Sequence, residues 1–219
     1  MTMINDRAMR FICFDLGGVL VRTQHDIFEA CATAGLTAAA GWRSGSARRS
    51  FAQLLFRLES GGGTDEEFLR EAAAILPPWE AADVAALMDV WLLGLYPGVP
   101  QLLSELAAAP HRLTGCLSNT NERHCRIMLE HPDYRPLQQH LDHRFFSHRI
   151  GARKPAGAIY EHVEQHVAEV SGPEAILFFD DRAENIDAAR ERGWLAELID
   201  PHGDPAQQIR ACLTDHGVL

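Results

Sequence analysis

The stretch Phe11-Ile-Cys-Phe-Asp-Leu-Gly-Gly-Val-Leu20 sets a single carboxylate, Asp15, into an otherwise apolar run. Four apolar residues ahead of an acid and a glycine pair read as a buried strand that ends in a turn. An isolated acid at such a place is costly to bury unless something pairs with it. The residue two further on, where a second acid could assist, is Gly17.

Working outward, similar short apolar runs bounded by turn signals recur at 113–117, 145–146, 175–179 and 195–199. Amphipathic helical patterns separate the later ones, at 99–109, 158–170 and 183–192. Such alternation predicts an α/β fold, a Rossmann-like parallel sheet with helices on both faces.

Between the first two runs the pattern is almost purely helical. Phe51, Leu54, Leu55 and Leu58 follow i, i+3, i+4, i+7 spacing. Thr64-Asp-Glu-Glu67 is a capping box that opens the next helix after the Gly61-Gly-Gly63 break. Pro77-Pro78 ends that helix, and a further one is predicted over 80–93. Pro97-Gly-Val-Pro100 marks the return to the sheet, with Pro100 near a helix start. The expected organisation is a core of residues 1–22 and 95–219, with 23–94 inserted as a helical cap. The Ser/Arg patch at 44–50 reads as flexible.

Composition bounds the function. At 219 residues with 47% hydrophobic and 23% charged side chains, the chain has material for one core of ordinary size. A formal charge of −10 disfavours nucleic acid or an anionic membrane surface as partner. No apolar run reaches bilayer length, and the first ten residues lack the apolar segment of a signal peptide. The five cysteines show no CxxC spacing, so free thiols in the cytoplasm are expected. Of the 20 basic residues, Lys154 is the only lysine. Either chance left the last lysine there, or the place needs a compact ammonium that a guanidinium cannot imitate.

Four polar clusters follow strands, where open α/β sheets hold their ligands. They are Asp15 with Gly17-Gly18, Ser118-Asn-Thr-Asn121, Arg153-Lys154-Pro155, and Asp180-Asp181 with Asn185. Each alone has a plain structural reading: Ser118 or Thr120 as an N-cap, Asp181-Arg-Ala-Glu184 as a capping box, Lys154 as a turn residue. Together they suit phosphoryl chemistry. The aspartate can attack phosphorus, Mg²⁺ prefers oxygen ligands, and Ser118 with the Asn119 backbone N–H can grip phosphate oxygens. Lys154 offsets the dense negative charge.

In this order, and with a helical insertion after the first, FDLGGVL, LSNTN, GARKP and FFDDRAEN resemble the four motifs of the haloacid dehalogenase-like hydrolase superfamily. The pattern is most similar to the sugar-phosphate phosphatases, including those acting on glucose 1-phosphate. The resemblance implies Asp15 as nucleophile and Mg²⁺ ligand, with the carbonyl of Gly17 as a further ligand. Ser118 would bind the phosphoryl group, Lys154 would stabilise it with the nucleophile, and Asp181 would be the main late metal ligand beside Asp180. It also implies that the first strand lies between the second and fourth. The implied partner is a small-molecule phosphate ester and the implied activity a Mg²⁺-dependent phosphatase. A 2-haloacid dehalogenase and a non-catalytic binding protein are the alternatives.

Gly17 departs from the family pattern. Most such phosphatases and mutases carry a second aspartate there, which protonates the leaving oxygen. General acid–base catalysis is worth about 10² to 10⁴-fold, so its loss leaves room for a working enzyme but favours better leaving groups. His124, six residues after Ser118, is a candidate substrate contact by the same resemblance. In the cap, Arg22, His25, Arg43 and Arg49 are candidates for meeting the substrate. His162 and His166 at i, i+4, and His140, His143 and His148, read as surface or loop histidines rather than metal ligands.

Overall fold

In the computed structural model, residues 10–43, 45–109, 112–169 and 171–219 are described. Its strands are β1 (Arg10–Phe14), β2 (Val21–Thr23), β3 (Leu92–Leu95), β4 (Arg112–Ser118), β5 (His143–Phe146), β6 (Ile176–Asp180) and β7 (Leu195–Leu198). Five of them form one sheet in the order β5-β4-β1-β6-β7, every pair parallel. The first strand therefore lies between those that end in Ser118 and Asp180, as the family resemblance implies.

The apolar run of β1 is explained by burial on both faces. Ile12 and Phe14 join one core cluster, with Val99, Leu102, Leu103 and Leu106 of α5 (Val99–Ala108). Phe11 and Cys13 join the other, with Ile159, Tyr160, Val163 and Val167 of α9 (Gly157–Val167). The first cluster is completed by α6 (Glu122–Glu130), α7 (Arg135–His140) and α11 (Pro205–Asp215). The second takes in α10 (Ala183–Glu191), while the short α8 (Ser147–Ile150) follows β5. All five cysteines are free. Among the described residues no helix is long and apolar enough to cross a membrane.

Between β2 and β3 lie α1 (Ile27–Ala34), α2 (Gly45–Glu59), α3 (Asp65–Ile75) and α4 (Ala81–Asp89). They share their own buried cluster, centred on Phe51, Phe68, Leu76, Val84 and Leu87. The Thr64–Glu67 capping box forms, with reciprocal bonds of 3.2 and 2.9 Å. Because β2 and β3 pair antiparallel, the chain leaves and rejoins the core as a two-stranded ribbon.

That ribbon corrects the helix predicted over 80–93. The helix stops at Asp89, and Leu92–Leu95 is extended because Val21–Thr23 offers it a ladder partner. Gly94 at φ +92° donates its N–H to the Tyr134 hydroxyl at 3.0 Å, a bond no helix would leave available. The patch at 44–50 is likewise not flexible where described: from Gly45 onward it forms the first turns of α2, held by Ala47 and Phe51 in the cap core. Ser44 lies outside the described residues, as does Val170 at the predicted end of the 158–170 helix.

Candidate active site

The acid at the end of β1 continues its ladder, the Asp15 N–H donating to the Phe179 carbonyl at 2.8 Å. The chain then turns, with Leu20 and Val21 N–H both donating to the Leu16 carbonyl. Gly18 lies in this turn at φ +77°, and a Cβ there would sit 2.5 Å from Asp181 Oδ2, so only glycine fits. Gly17 is different. Its nearest obstacle to a Cβ is Thr23 Cγ2 at 3.5 Å, ordinary contact, and its φ is not left-handed. The missing side chain at 17 is thus not a steric necessity.

Asp15, Ser118 and Asp180 are brought to one end of the sheet by the strand order, and Lys154 joins them from the loop before α9. Its ammonium lies 3.0 Å from Asp15 Oδ2 and 2.6 Å from Asp180 Oδ2, and donates to the Leu117 carbonyl at 2.7 Å. All three donors are used, and the side chain is wholly buried. Burial works against the charge, but Asp15 and Asp180 outweigh it and hold the Lys154 pKa above its ordinary value.

Asp180 is filled from its other side. Its Oδ1 accepts from the Arg182 N–H and from Asn185 Nδ2, both at 2.9 Å. This corrects the capping box expected at Asp181–Glu184: Arg182 holds the N-cap position of α10 with no side-chain cap, and the acid used nearby is Asp180. Asp181 instead turns toward Gly18. Asp15, Asp180 and Asp181 together form the one group of three or more His, Cys, Asp or Glu side chains, among the described residues, that could hold a metal ion. Their ligand oxygens lie within 4.8 Å of one another. An all-oxygen, carboxylate-rich set suits a hard divalent cation. Burial, reinforced by Asp180 and Asp181 against the opposing Lys154, pushes the Asp15 carboxyl up to about 7. Burial and then Asp180 raise Asp181 as well. Positive charge among the three acids relieves the like-charge part of both shifts.

Ser118 ends β4 and lines a cavity of about 790 Å³ between the sheet ends and the cap. Asn119, expected on the phosphate, spends its side chain differently. Its Nδ2 donates to the Lys154 carbonyl at 3.0 Å and its Oδ1 accepts the Lys154 N–H at 2.8 Å. That two-way clasp positions the lysine loop and leaves the Asn119 backbone N–H for a ligand. Neither Ser118 nor Thr120 caps α6. Asn121 does, accepting from the His124 N–H at 3.0 Å.

His124, the expected substrate contact, lines the cavity with both ring nitrogens already bonded. Its Nδ1 meets Asn121 Nδ2 at 3.3 Å, so it accepts, and its Nε2 donates to the Met88 carbonyl of the cap at 2.9 Å. Burial drops its pKa to about 4. The ring borders the cavity, but both nitrogens serve as a neutral strut between core and cap. Of the cap cations, Arg48 lines the cavity, whereas Arg22, His25, Arg43 and Arg49 do not. His162 and His166 lie against Phe145, with ring centroids 6.0 and 5.6 Å from it.

Sequence reasoning named Arg153 only as a neighbour of Lys154 and missed Glu59. They pair at 3.0 Å across the cap–core junction, with the Arg153 guanidinium 4.9 Å from the Phe56 ring centroid. Arg153 Nε is buried without a hydrogen-bond partner. Nothing in the local sequence signals a contact between residues so far apart in the chain.

The whole fold has relatives of known structure. A HAD family enzyme from Bacteroides thetaiotaomicron, in complex with magnesium and inorganic phosphate, matches with a TM-score of 0.75 at 20% identity, covering 93% of this chain and 100% of that one. A HAD-like family hydrolase from Porphyromonas gingivalis matches with 0.75 at 23% identity, covering 94% and 98%. A dehalogenase matches less well, with 0.61 at 20% identity, covering 92% and 89%. The family model of haloacid dehalogenase-like hydrolases spans residues 9–193, which include every strand-end residue described above, and the chain belongs to that family.

Proposed function

We propose that the protein is a Mg²⁺-dependent phosphatase that hydrolyses small phosphate monoesters through an aspartyl-phosphate on Asp15. The observation that carries this reading is the buried Lys154 ammonium between Asp15 and Asp180, with Asp181 completing the oxygen set. A metal-free attack on carbon has no use for three clustered acids, whereas phosphoryl transfer does. The magnesium and phosphate held by the Bacteroides enzyme of the same fold support the choice.

Asp15, Asp180, Asp181 and the Gly17 carbonyl would hold the ion, which when bound supplies positive charge to the phosphoryl oxygens. The remaining roles belong to the chain itself. Asp15 attacks phosphorus, and Lys154 holds it in place and offsets the charge that builds up. The Ser118 hydroxyl and the Asn119 backbone N–H donate to phosphoryl oxygens. The cap covers the site and limits bulk water. No acid stands at Gly17, so the proton for the leaving oxygen comes from a cap residue, the substrate or the solvent. A sugar phosphate is the substrate that the branch resemblance suggests. The five free cysteines support a cytoplasmic location.

Phosphate release from a panel of esters, with and without Mg²⁺, tests the reading in the parent and in Asp15→Asn. The expected result is Mg²⁺-dependent release that the substitution abolishes. Halide release from haloacids without metal would replace it with the dehalogenase reading.

A further inference from the structure

The cavity above the strand ends has two unlike halves. Its floor carries Gly17, Ser118, Asn119 and Thr120. Its upper wall comes from the cap, with Ile27, Phe28, Trp42, Phe51, Leu55 and Phe56 facing the same space. Phe28 and Phe56 keep 46% and 54% of their surface open, unusual exposure for large apolar side chains beside a reaction centre.

Most polar groups on that wall are engaged, with the Arg48 guanidinium and the Arg153 Nε as the donors left over. Asp26 Oδ1 accepts from the Phe28 and Glu29 N–H groups at 2.7 and 3.0 Å. Glu59 is paired with Arg153, and Arg182 with Glu184. Both His124 nitrogens and the Asn119 amide are used. Two arginine donors cannot answer all the hydroxyls of a hexose, which both give and accept hydrogen bonds, and each hydroxyl left unpaired weakens binding. A planar apolar ring meets the opposite situation, with aromatic edges and faces open to it. The volume of about 790 Å³ leaves room for a ring system larger than a hexose.

Gly17 points to the same substrate independently. With no acid at 17, and the cavity carboxylates Asp26 and Glu59 held by backbone N–H groups and by Arg153, the leaving oxygen departs unprotonated. A phenol has a pKa of about 10, whereas an aliphatic alcohol lies far higher, near the value of water. An aryloxide therefore leaves unaided where an alkoxide does not.

We propose that the substrates are aryl phosphate monoesters, the aromatic body lodged against Phe28 and Phe56 and the phosphoryl group at Asp15. The proposal rests on the phosphatase reading above. An Asp15 carboxylate oxygen bonds to phosphorus as the bond from phosphorus to the aryl oxygen breaks. The electron pair leaves on the aryloxide, which takes a proton from solvent water. A second water then attacks phosphorus, loses a proton to solvent, and releases inorganic phosphate with the Asp15 carboxylate restored. The sum is ester plus water to phenol plus phosphate.

The test is kcat and KM, with Mg²⁺, for 1-naphthyl phosphate, benzyl phosphate, glucose 1-phosphate and glucose 6-phosphate. Parent, Phe28→Ala and Phe56→Ala are compared, both substitutions falling on half-exposed side chains, with folding checked by circular dichroism. The expected kcat/KM for 1-naphthyl phosphate exceeds that of either hexose phosphate by about 100-fold, the scale of an absent general acid. Benzyl phosphate, apolar but with a poor leaving group, should share the low KM and not the high kcat. Phe56→Ala should raise the naphthyl KM by about 10-fold and the hexose values by much less. Hexose phosphates turned over as well as the aryl ester, or variants that shift both classes alike, would overturn the proposal. If no ester at all is hydrolysed, the phosphatase reading itself falls and this inference goes with it.

Discussion

At the ends of β1, β4 and β6, buried charges are answered by one another. One ammonium meets two carboxylates and a carbonyl within 3.0 Å, and Asp180 is bonded on both of its oxygens. Under the cap the balance shifts, and aromatic rings make up most of the wall, with Arg48 as the cap cation among them. The two regions touch through few contacts: Arg123 to Asp89, His124 to Met88, Arg153 to Glu59. The contrast separates chemistry from selection. Hydrogen bonds and charge pairs fix atoms to fractions of an ångström and are intolerant of change, whereas apolar walls tolerate substitution of similar volume.

Substitutions can break that contrast, and the largest effect is expected in the polar half. Asp15→Asn removes the nucleophile and should lower phosphate release by at least about 10³-fold with the fold intact by circular dichroism. Next comes Lys154. Lys154→Ala leaves Asp15 and Asp180 buried without their counter-ion and should cost about 3 kcal/mol in urea unfolding. Lys154→Arg should recover less than a tenth of the activity, because a planar fork cannot place three donors where the ammonium does.

Gly17→Asp sharpens the comparison from the other direction. The space at Gly17 admits a side chain, so an added acid should raise kcat for poor leaving groups by about 10-fold or more. The slope of log kcat/KM against leaving-group pKa should flatten, and an unchanged slope would show that the acid does not reach the leaving oxygen.

A smaller effect concerns the strut between the halves. His124 is neutral when folded, with its pKa lowered to about 4 from 6.5. Its contribution is present above 6.5 and is lost as pH falls toward 4, because the unfolded chain binds the proton first. Between pH 7 and 5 the loss should be about 2 kcal/mol. Asp15 works in the opposite sense over part of this range, its raised pKa favouring the folded state at lower pH. The measurement is therefore the difference between parent and His124→Leu in metal-free urea titrations, which should vanish as the buffer approaches pH 4. Smallest of all is Arg123→Ala. Its pair with Asp89 is 27% and 49% exposed, so its removal should cost below about 1 kcal/mol.

Much of this was legible along the chain. Apolar runs mark strands because burial on both faces of a parallel sheet admits little else, and β1, β4 and β6 lie where those runs are. The capping box at Thr64 needed only its own four residues. Local patterns misled where a distant partner decided the outcome. Leu92–Leu95 is a strand because Val21–Thr23 lies alongside, and Asp181 is no cap because Asp180 takes the Arg182 N–H.

The sequence by itself determined the chemistry of the site: one aspartate, one serine, one lysine and an acid pair, each after a strand, with glycine in place of a second acid. Those are identities, and folding does not change them. Only the tertiary structure decided their duties. Asn119 became the clasp on Lys154, His124 a strut at the cavity's border, and Arg48 rather than Arg43 or Arg49 the cap cation on the cavity. It also revealed the apolar chamber, whose rings come from α1, the turn before α2, and α2 itself. Such residues carry no common motif, because a cavity wall is defined by which surfaces meet in space and not by spacing along the chain.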